Sequence, residues 1–418
     1  MANQATIKDM NVRRVLTLLR LEGALSRADI ARRVALTKST VTYIVDELVA
    51  QGRVSEVERP TSRSDVKELG RPGIAVGLEA TGGYFLGVEI GVHVLRFALL
   101  DLALKPVHVK TVKLSKPLTP QAVVNRIADH LAALREMPAY GERIEAIGVT
   151  VPGLVRSDGF VLHLPILGWR DVDFLQLTSA RLDLPVNIEN NGNAAAFGEV
   201  YGSPQHATGL SLYLKLGNGC GGAAIINGEL LRGASGSATE FGHMRISDGG
   251  PPCGCGRSGC LEPQVNLAGL ARYAKECRFR GPDDPESIAA AARDGNPAAQ
   301  ATIERLLHFL AIGLINLTNI FNPSDIVLGG AMLPVLEWGI DTLRARLSEG
   351  IVAGMRAPVL ALSKMGEYEC AIGAAALAHQ RGYDIGGLKG EALAASAPQR
   401  AETKMSGTAA RTRKAAAA

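Results

Sequence analysis

Leu216-Gly217-Asn218-Gly219-Cys220-Gly221-Gly222-Ala223, then Glu240-Phe241-Gly242-His243, then Cys253-Gly254-Cys255-Gly256-Arg257-Ser258-Gly259-Cys260-Leu261-Glu262 follow one another in a chain of 418 residues. His243 and the three cysteines stand in H-x9-C-x-C-x4-C spacing. Thiolates and imidazole are the ligands of a tetrahedral zinc site, and glycines between the thiols let a short chain turn back so that the sulfurs converge. With four ligands no coordination position stays open, so His243, Cys253, Cys255 and Cys260 read as a closed, structural Cys3His zinc site. The alternatives are unrelated thiols or disulfides in a secreted chain. The start, Met-Ala-Asn-Gln-Ala-Thr-Ile-Lys-Asp, lacks the apolar run of a signal peptide, and clustered cysteines in a cytoplasmic chain favour metal. Cys220, Cys277 and Cys370 are scattered and read as ordinary buried thiols.

Outward from this stretch, strands alternate with helices. Phe85-Leu86-Gly87-Val88-Glu89-Ile90-Gly91 reads as a strand entering a glycine turn, and 95–101 as its partner. An amphipathic helix is expected over 121–135, and a buried strand over 146–151. A strand at 186–191 runs into a small-residue helix at 194–198, and one at 210–216 enters the turn 217–222. Such alternation points to α/β lobes. Glycine turns at strand ends are where backbone N–H groups can face phosphate, although tight turns need glycine in any case. Residues 263–311 read as helical, and 306–321 is apolar nearly all round, as in a core or interface helix.

Charge divides the chain. Residues 1–78 hold 13 Lys+Arg against 9 Asp+Glu, residues 386–418 hold 6 against 2, and the section between is net acidic. A basic head on an acidic body suggests nucleic-acid contact at one end. In the head, Val12, Val15, Leu16, Leu18 and Leu19 recur at helical spacing over 11–22, which Gly23 ends. Ser26 caps a short helix over 27–33, with Asp29 as the capping-box acid. Val34-Ala35-Leu36 makes a turn, and Thr37 caps a third helix reaching about Ala50, closed by Gly52. This is a helix-turn-helix pattern. Lys38, Ser39, Thr40, Thr42 and Tyr43 at the start of the third helix suit base edges and phosphates. Two short strands, 53–57 and a return ending at 76, suggest a β-wing whose Arg63, Lys67 and Arg71 reach phosphate or minor groove. The alternative is a packing module with a solvated basic face. Residues 386–418, rich in Ala, Lys, Arg, Thr and Ser, are expected to be a disordered tail. No apolar run approaches the roughly 20 residues of a membrane span.

The ordered combination of 216–223, Asn227-Gly228, Gly233-Ala234-Ser235-Gly236, Glu240-Phe241-Gly242-His243 and the cysteine cluster ending in Glu262 resembles the signature of the ROK family, from about residue 77 to 377. These are bacterial sugar kinases and sugar-responsive repressors on an actin/hexokinase-like ATPase fold. The winged head resembles the repressor branch. The resemblance implies an α/β chain with three parts: a winged helix-turn-helix over 1–78, a two-lobed sugar-sensing body over 79–385, and the tail. It further implies a sugar held by Asn190, Asn191, Glu240, His243 and Glu262, and His243 then serves both metal and sugar, with one ring nitrogen for each. Operator DNA, a sugar effector and a homodimer or homotetramer are the implied partners, in the cytoplasm.

The chain departs from the kinase pattern at three places. Kinases of the family carry an Asp as base where Asn191 stands, and a carboxamide accepts no proton at neutral pH. Their Asp-x-Gly-Gly-Thr turn is here Glu89-Ile90-Gly91-Val92-His93, with a branched side chain where backbone should approach phosphate. Thr239 stands where the family has glycine, a change expected to narrow the pocket or alter which sugar fits. The expected function is therefore a sugar-responsive repressor with a catalytically silent body; the alternative is a sugar kinase with an added head.

Overall fold

Helix signals in the first eighty residues are honoured by the backbone. The computed structural model describes residues 4–58, 74–156, 158–201, 209–234 and 238–383. Helix α1 spans Gln4–Glu22, starting earlier than the periodicity suggests because nothing between Gln4 and Asn11 breaks a helix. Helix α2, Arg27–Arg33, is capped by the Ser26 hydroxyl, which accepts from the Asp29 N–H at 3.1 Å. Ala35 sits at φ +51°, a left-handed residue that makes the tight turn. The Thr37 hydroxyl then caps α3, Lys38–Ala50, accepting from the Thr40 N–H at 3.2 Å. Strands β1, Val54–Glu58, and β2, Ile74–Leu78, pair antiparallel, Val54 opposite Leu78. A bridge from Leu25 to Val76 ties this wing to the helices.

The first lobe is built on a five-stranded sheet in the order β10-β6-β3-β4-β5. Its strands are β3 Tyr84–Ile90, β4 Val94–Asp101, β5 Pro106–Lys113, β6 Ile144–Val151 and, after an excursion, β10 Val186–Asn190. Helix α4, Pro120–Arg135, covers one face. The excursion holds a small sheet, β7 Leu154–Val155, β8 Phe160–Leu164 and β9 Trp169–Asp173, followed by α5, Phe174–Ser179. Helix α6, Asn191–Tyr201, leaves the sheet at the cleft.

The second lobe repeats the plan with the order β13-β12-β11-β14-β15. Strand β11 is Leu210–Leu216, β12 Cys220–Ile226 and β13 Glu229–Leu230. Helices α7 Glu262–Val265, α8 Leu267–Glu276, α9 Pro285–Arg293 and α10 Pro297–Phe321 follow, then β14 Asp325–Gly329, α11 Leu333–Gly350 and β15 Val359–Leu362. Helix α12, Glu369–Tyr383, returns to pack on β3 and β6 of the first lobe.

Helix α10 amends one expectation: by length and mean hydropathy (1.3) it could cross a membrane. Its buried face of Leu306, Leu307, Leu310, Leu314 and Leu317 instead forms the core of the second lobe. Packing joins the head to the body. Val15, Leu16 and Leu19 of α1 share one apolar cluster with Phe85, Leu100, Leu102, Phe197 and Ala375. The expected tail, 386–418, lies outside the described residues.

Candidate functional site

The structure brings His243, the three cysteines, Glu240 and Glu262 together, and Asn190 and Asn191 stand at the start of α6, where a Cβ on Gly192 would meet Gly222 N at 3.5 Å. The cysteine loop follows a short turn, Phe241–His243, and the bridges Arg245 to Cys260 and Pro252 to Ser258 fold it back on itself. The ligand atoms of His243, Cys253, Cys255 and Cys260 all lie within 4.8 Å of one another. His243 Nδ1 is 3.4 Å from Cys253 Sγ, and Cys255 Sγ is 3.7 Å from Cys260 Sγ. Zinc–sulfur bonds of about 2.3 Å in a tetrahedron place sulfurs just under 4 Å apart, so the set fits that ion. Burial first, with bonds from Cys255 and Cys260 and the charge of Glu262, pushes the Cys253 thiol up to about 12, and a bound cation would favour its thiolate.

The other ring nitrogen of His243 points toward Glu240. Nε2 lies 3.9 Å from Glu240 Oε2, and the Glu240 side chain is half exposed. Burial pushes this carboxyl above its usual range, against the pull of His243. Glu262 opens α7 and is more committed. Its Oε2 accepts from the Cys220 N–H at 2.9 Å, and its Oε1 lies 3.7 Å from Cys253 Sγ. Thr239 has φ +67°, the left-handed region that glycine occupies freely, which explains why glycine suits this position. Its hydroxyl donates to Gly222 O at 3.1 Å.

Across the cleft the two asparagines differ. The Asn190 carboxamide oxygen accepts from the N–H groups of Gly192, at 2.7 Å, and Asn193, at 3.3 Å, and its nitrogen donates to Gly153 O at 2.9 Å. It is a helix cap first, with one N–H left for a ligand. Asn191 Oδ1 is buried and has no hydrogen-bond partner among the described residues. An orphaned acceptor of this kind is costly unless a ligand supplies a donor. Beside it Glu189 pairs with Arg232 of the second lobe at 2.6 Å and accepts from Asn193 Nδ2 at 2.9 Å, an interlobe tie that no local sequence signal marks.

A buried carboxylate sits at the turn of Gly330. Glu369 accepts from the Gly330 N–H at 3.1 Å, from the Tyr213 hydroxyl at 2.6 Å, and from Lys215. Burial, opposed by Lys215 and Arg96, pushes the Glu89 carboxyl up, and Arg96 bonds it at 3.2 Å. Thus the turns at Cys220 and at Gly330 each present an N–H to a carboxylate of the protein itself. His93 is exposed on the first turn.

On the head, Lys38, Ser39, Thr42 and Tyr43 are exposed along one side of α3, and Thr40 is half-buried, its hydroxyl 2.8 Å from that of Thr37. Tyr43 is 61% exposed, and Lys8 of α1 lies 5.3 Å from its ring centre, so a second cation borders the predicted contact face. Arg63, Lys67 and Arg71 lie outside the described residues.

Comparison with known proteins follows this division. The model of the ROK family matches residues 85–381, and a winged helix-turn-helix DNA-binding model matches 9–55. The xylose repressor of Bacillus subtilis (strain 168) is 28% identical over 87% of this chain and 96% of its own length. A glucokinase of Streptomyces coelicolor is 32% identical over 71% of this chain and 98% of its own. The crystal structure of a ROK family transcriptional regulator, a homologue of the E. coli MLC protein, superposes with a TM-score of 0.75 at 25% identity, covering 90% of this chain and 97% of that one.

Proposed function

The chain belongs to the ROK family, and from that premise we propose that it is a sugar-responsive transcriptional repressor whose body senses the sugar without phosphorylating it. The observation that carries this reading is Asn191, with a buried and unpartnered Oδ1, at the position where a kinase needs a carboxylate. The oxygen can accept a sugar hydroxyl, and it cannot take the proton away. Occupation of the Gly330 N–H by Glu369 supports the same conclusion, because a phosphate bound at that turn would have to displace a carboxylate. Likeness to repressors extends through the winged head, whereas the glucokinase covers the body alone.

In this reading Asn191, Glu240, His243 and Glu262 hold the sugar, with Asn190 chiefly shaping the start of α6. Carboxylates and carboxamides suit vicinal hydroxyls because each offers more than one hydrogen-bonding position. Zinc held by His243, Cys253, Cys255 and Cys260 fixes the imidazole so that Nε2 faces the sugar. The face of Lys38, Ser39, Thr42 and Tyr43 meets operator DNA, with Thr40 at its edge and Arg63 and Arg71 of the wing assigned to the backbone or minor groove. A homodimer or homotetramer in the cytoplasm completes the proposal, since paired heads read paired half-sites.

The test is a sugar panel on the full chain by thermal shift, with an ATP-dependent phosphorylation assay alongside. A sugar that binds the folded state raises the melting temperature. The expected result is a rise with at least one aldose and no phosphorylated product. Turnover across the panel would reverse the assignment to kinase, and no rise with any sugar would leave a body that only assembles.

A further inference from the structure

We propose that Arg13 and Arg20 of α1 couple the sugar cleft to the head by each holding the far end of one of the two helices that span the lobes; this rests on the sensing reading above. Helices α6 and α12 both begin at the cleft. The first starts at Asn191 and the second at Glu369, whose carboxylate binds the Gly330 turn. Both end against the head. Arg20 Nη1 donates to Tyr201 O at 3.2 Å, and its guanidinium lies 4.5 Å from the centre of the Tyr201 ring. Arg13 Nη1 donates to Arg381 O at 3.4 Å. The last carbonyls of a helix lack partners and carry partial negative charge, so a guanidinium there satisfies both hydrogen bonding and charge.

The two helices ride on different lobes. Helix α6 packs against β11 and β12 of the second lobe, and α12 against β3 and β6 of the first. They touch where side chains are absent. A Cβ on Gly373 would meet Ala194 O at 1.8 Å, and one on Gly198 would meet the Cα of Gly373 at 2.8 Å. Any change in the angle between the lobes therefore turns α6 against α12. Over about 16 Å and 22 Å of helix, at 1.5 Å per residue, that turn displaces the two end carbonyls relative to each other. With one arginine on each, α1 must tilt or release a contact, and α2 and α3 move with it. His379 of α12 joins the same ends. Its neutral ring accepts from the Tyr201 hydroxyl at 3.1 Å and donates to Leu102 O at 3.2 Å.

Calorimetry with D-xylose, D-glucose and D-galactose on the full chain identifies a sugar that binds. Affinity for a DNA duplex, selected by the chain from a random pool, is then measured with and without that sugar. In the parent, saturation should change DNA affinity by about tenfold or more. Arg13→Ala and Arg20→Ala should each keep sugar affinity and sugar-free DNA affinity close to the parent's while losing most of that change. Arg20→Lys, which keeps a donor and a charge but not the stacking, should recover part of it. The proposal is overturned if both alanine variants respond like the parent, if the parent binds sugar with no change in DNA affinity, or if the variants lose DNA binding without sugar. Absence of binding by every sugar would instead sink the sensing reading first, and this coupling with it.

Discussion

Glu240 and Glu262 face one pocket but hold different things. Glu240 lies 3.9 Å from His243 Nε2, whereas Glu262 accepts from the Cys220 N–H at 2.9 Å. Charge-assisted hydrogen bonds contribute roughly 1.5–3 kcal/mol each. Glu240→Ala should therefore weaken the bound sugar by about ten- to a hundredfold, by calorimetry, with the melting temperature almost unchanged. Glu262→Ala should lose the sugar and lower the melting temperature as well, since it strips the Cys220 turn of its acceptor. Asn191→Asp restores a base and nothing else. With Glu369 still on the Gly330 N–H, the expected result is no ATP-dependent product in a coupled assay, and robust turnover would refute the account of the Gly330 turn.

Helices and strands with a strong local signal were legible in the sequence: the caps at Ser26 and Thr37, the alternation into the glycine turn at Gly91, the cysteine spacing. What escaped was set by distant partners. The small sheet of β7, β8 and β9 has short strands whose pairing depends on each other, and nothing local marks α12 as the helix that recrosses to the first lobe. The resemblance implies Asn190 as a sugar ligand, and what no local signal tells is that its oxygen accepts from two N–H groups of the turn it caps. Arg20 looks like any surface cation until Tyr201, far along the chain, is placed beneath it. Two element-level predictions follow from packing. Gly373→Ala pushes a methyl into Ala194 O and should cost about 1–3 kcal/mol, read as a lower denaturant midpoint. His130 of α4 is buried against Phe97 and near His108, and neither of its ring nitrogens has a partner among the described residues. His130→Leu should leave stability at pH 7.5 equal or higher.

At the scale of the whole molecule, acid is the weak side. Burial, aided by Lys110, lowers His130 from 6.5 to about 4, and burial beside Arg20 lowers His379 from 6.5 to about 3. Below pH 6.5 the unfolded chain takes up protons that these rings refuse, so stability is full above 6.5 and falls as pH drops towards 4. Glu145, raised from 4.5 to about 6 by burial against the attraction of Arg53, works the other way between those values and offsets only part of the loss. The melting temperature should drop between pH 7 and pH 5, and His130→Leu should shrink that drop. Metal is the second whole-molecule control. Purified protein should carry about one zinc per chain, and a chelator strong enough to remove it should abolish the sugar response, because His243 then loses its anchor. Zinc-free protein with full response would refute the site. The crossing of α6 and α12 has its own consequence. At Gly198 and Gly373 the two helices touch through bare backbone, so at that point the joint is a bearing without interlocking knobs, and side chains tie the helices only further along, where Tyr201 meets His379. The angle is set from the rims, by whatever occupies the cleft on one side and by the grip of α1 on the other, and DNA that seizes the head should stiffen the cleft in return.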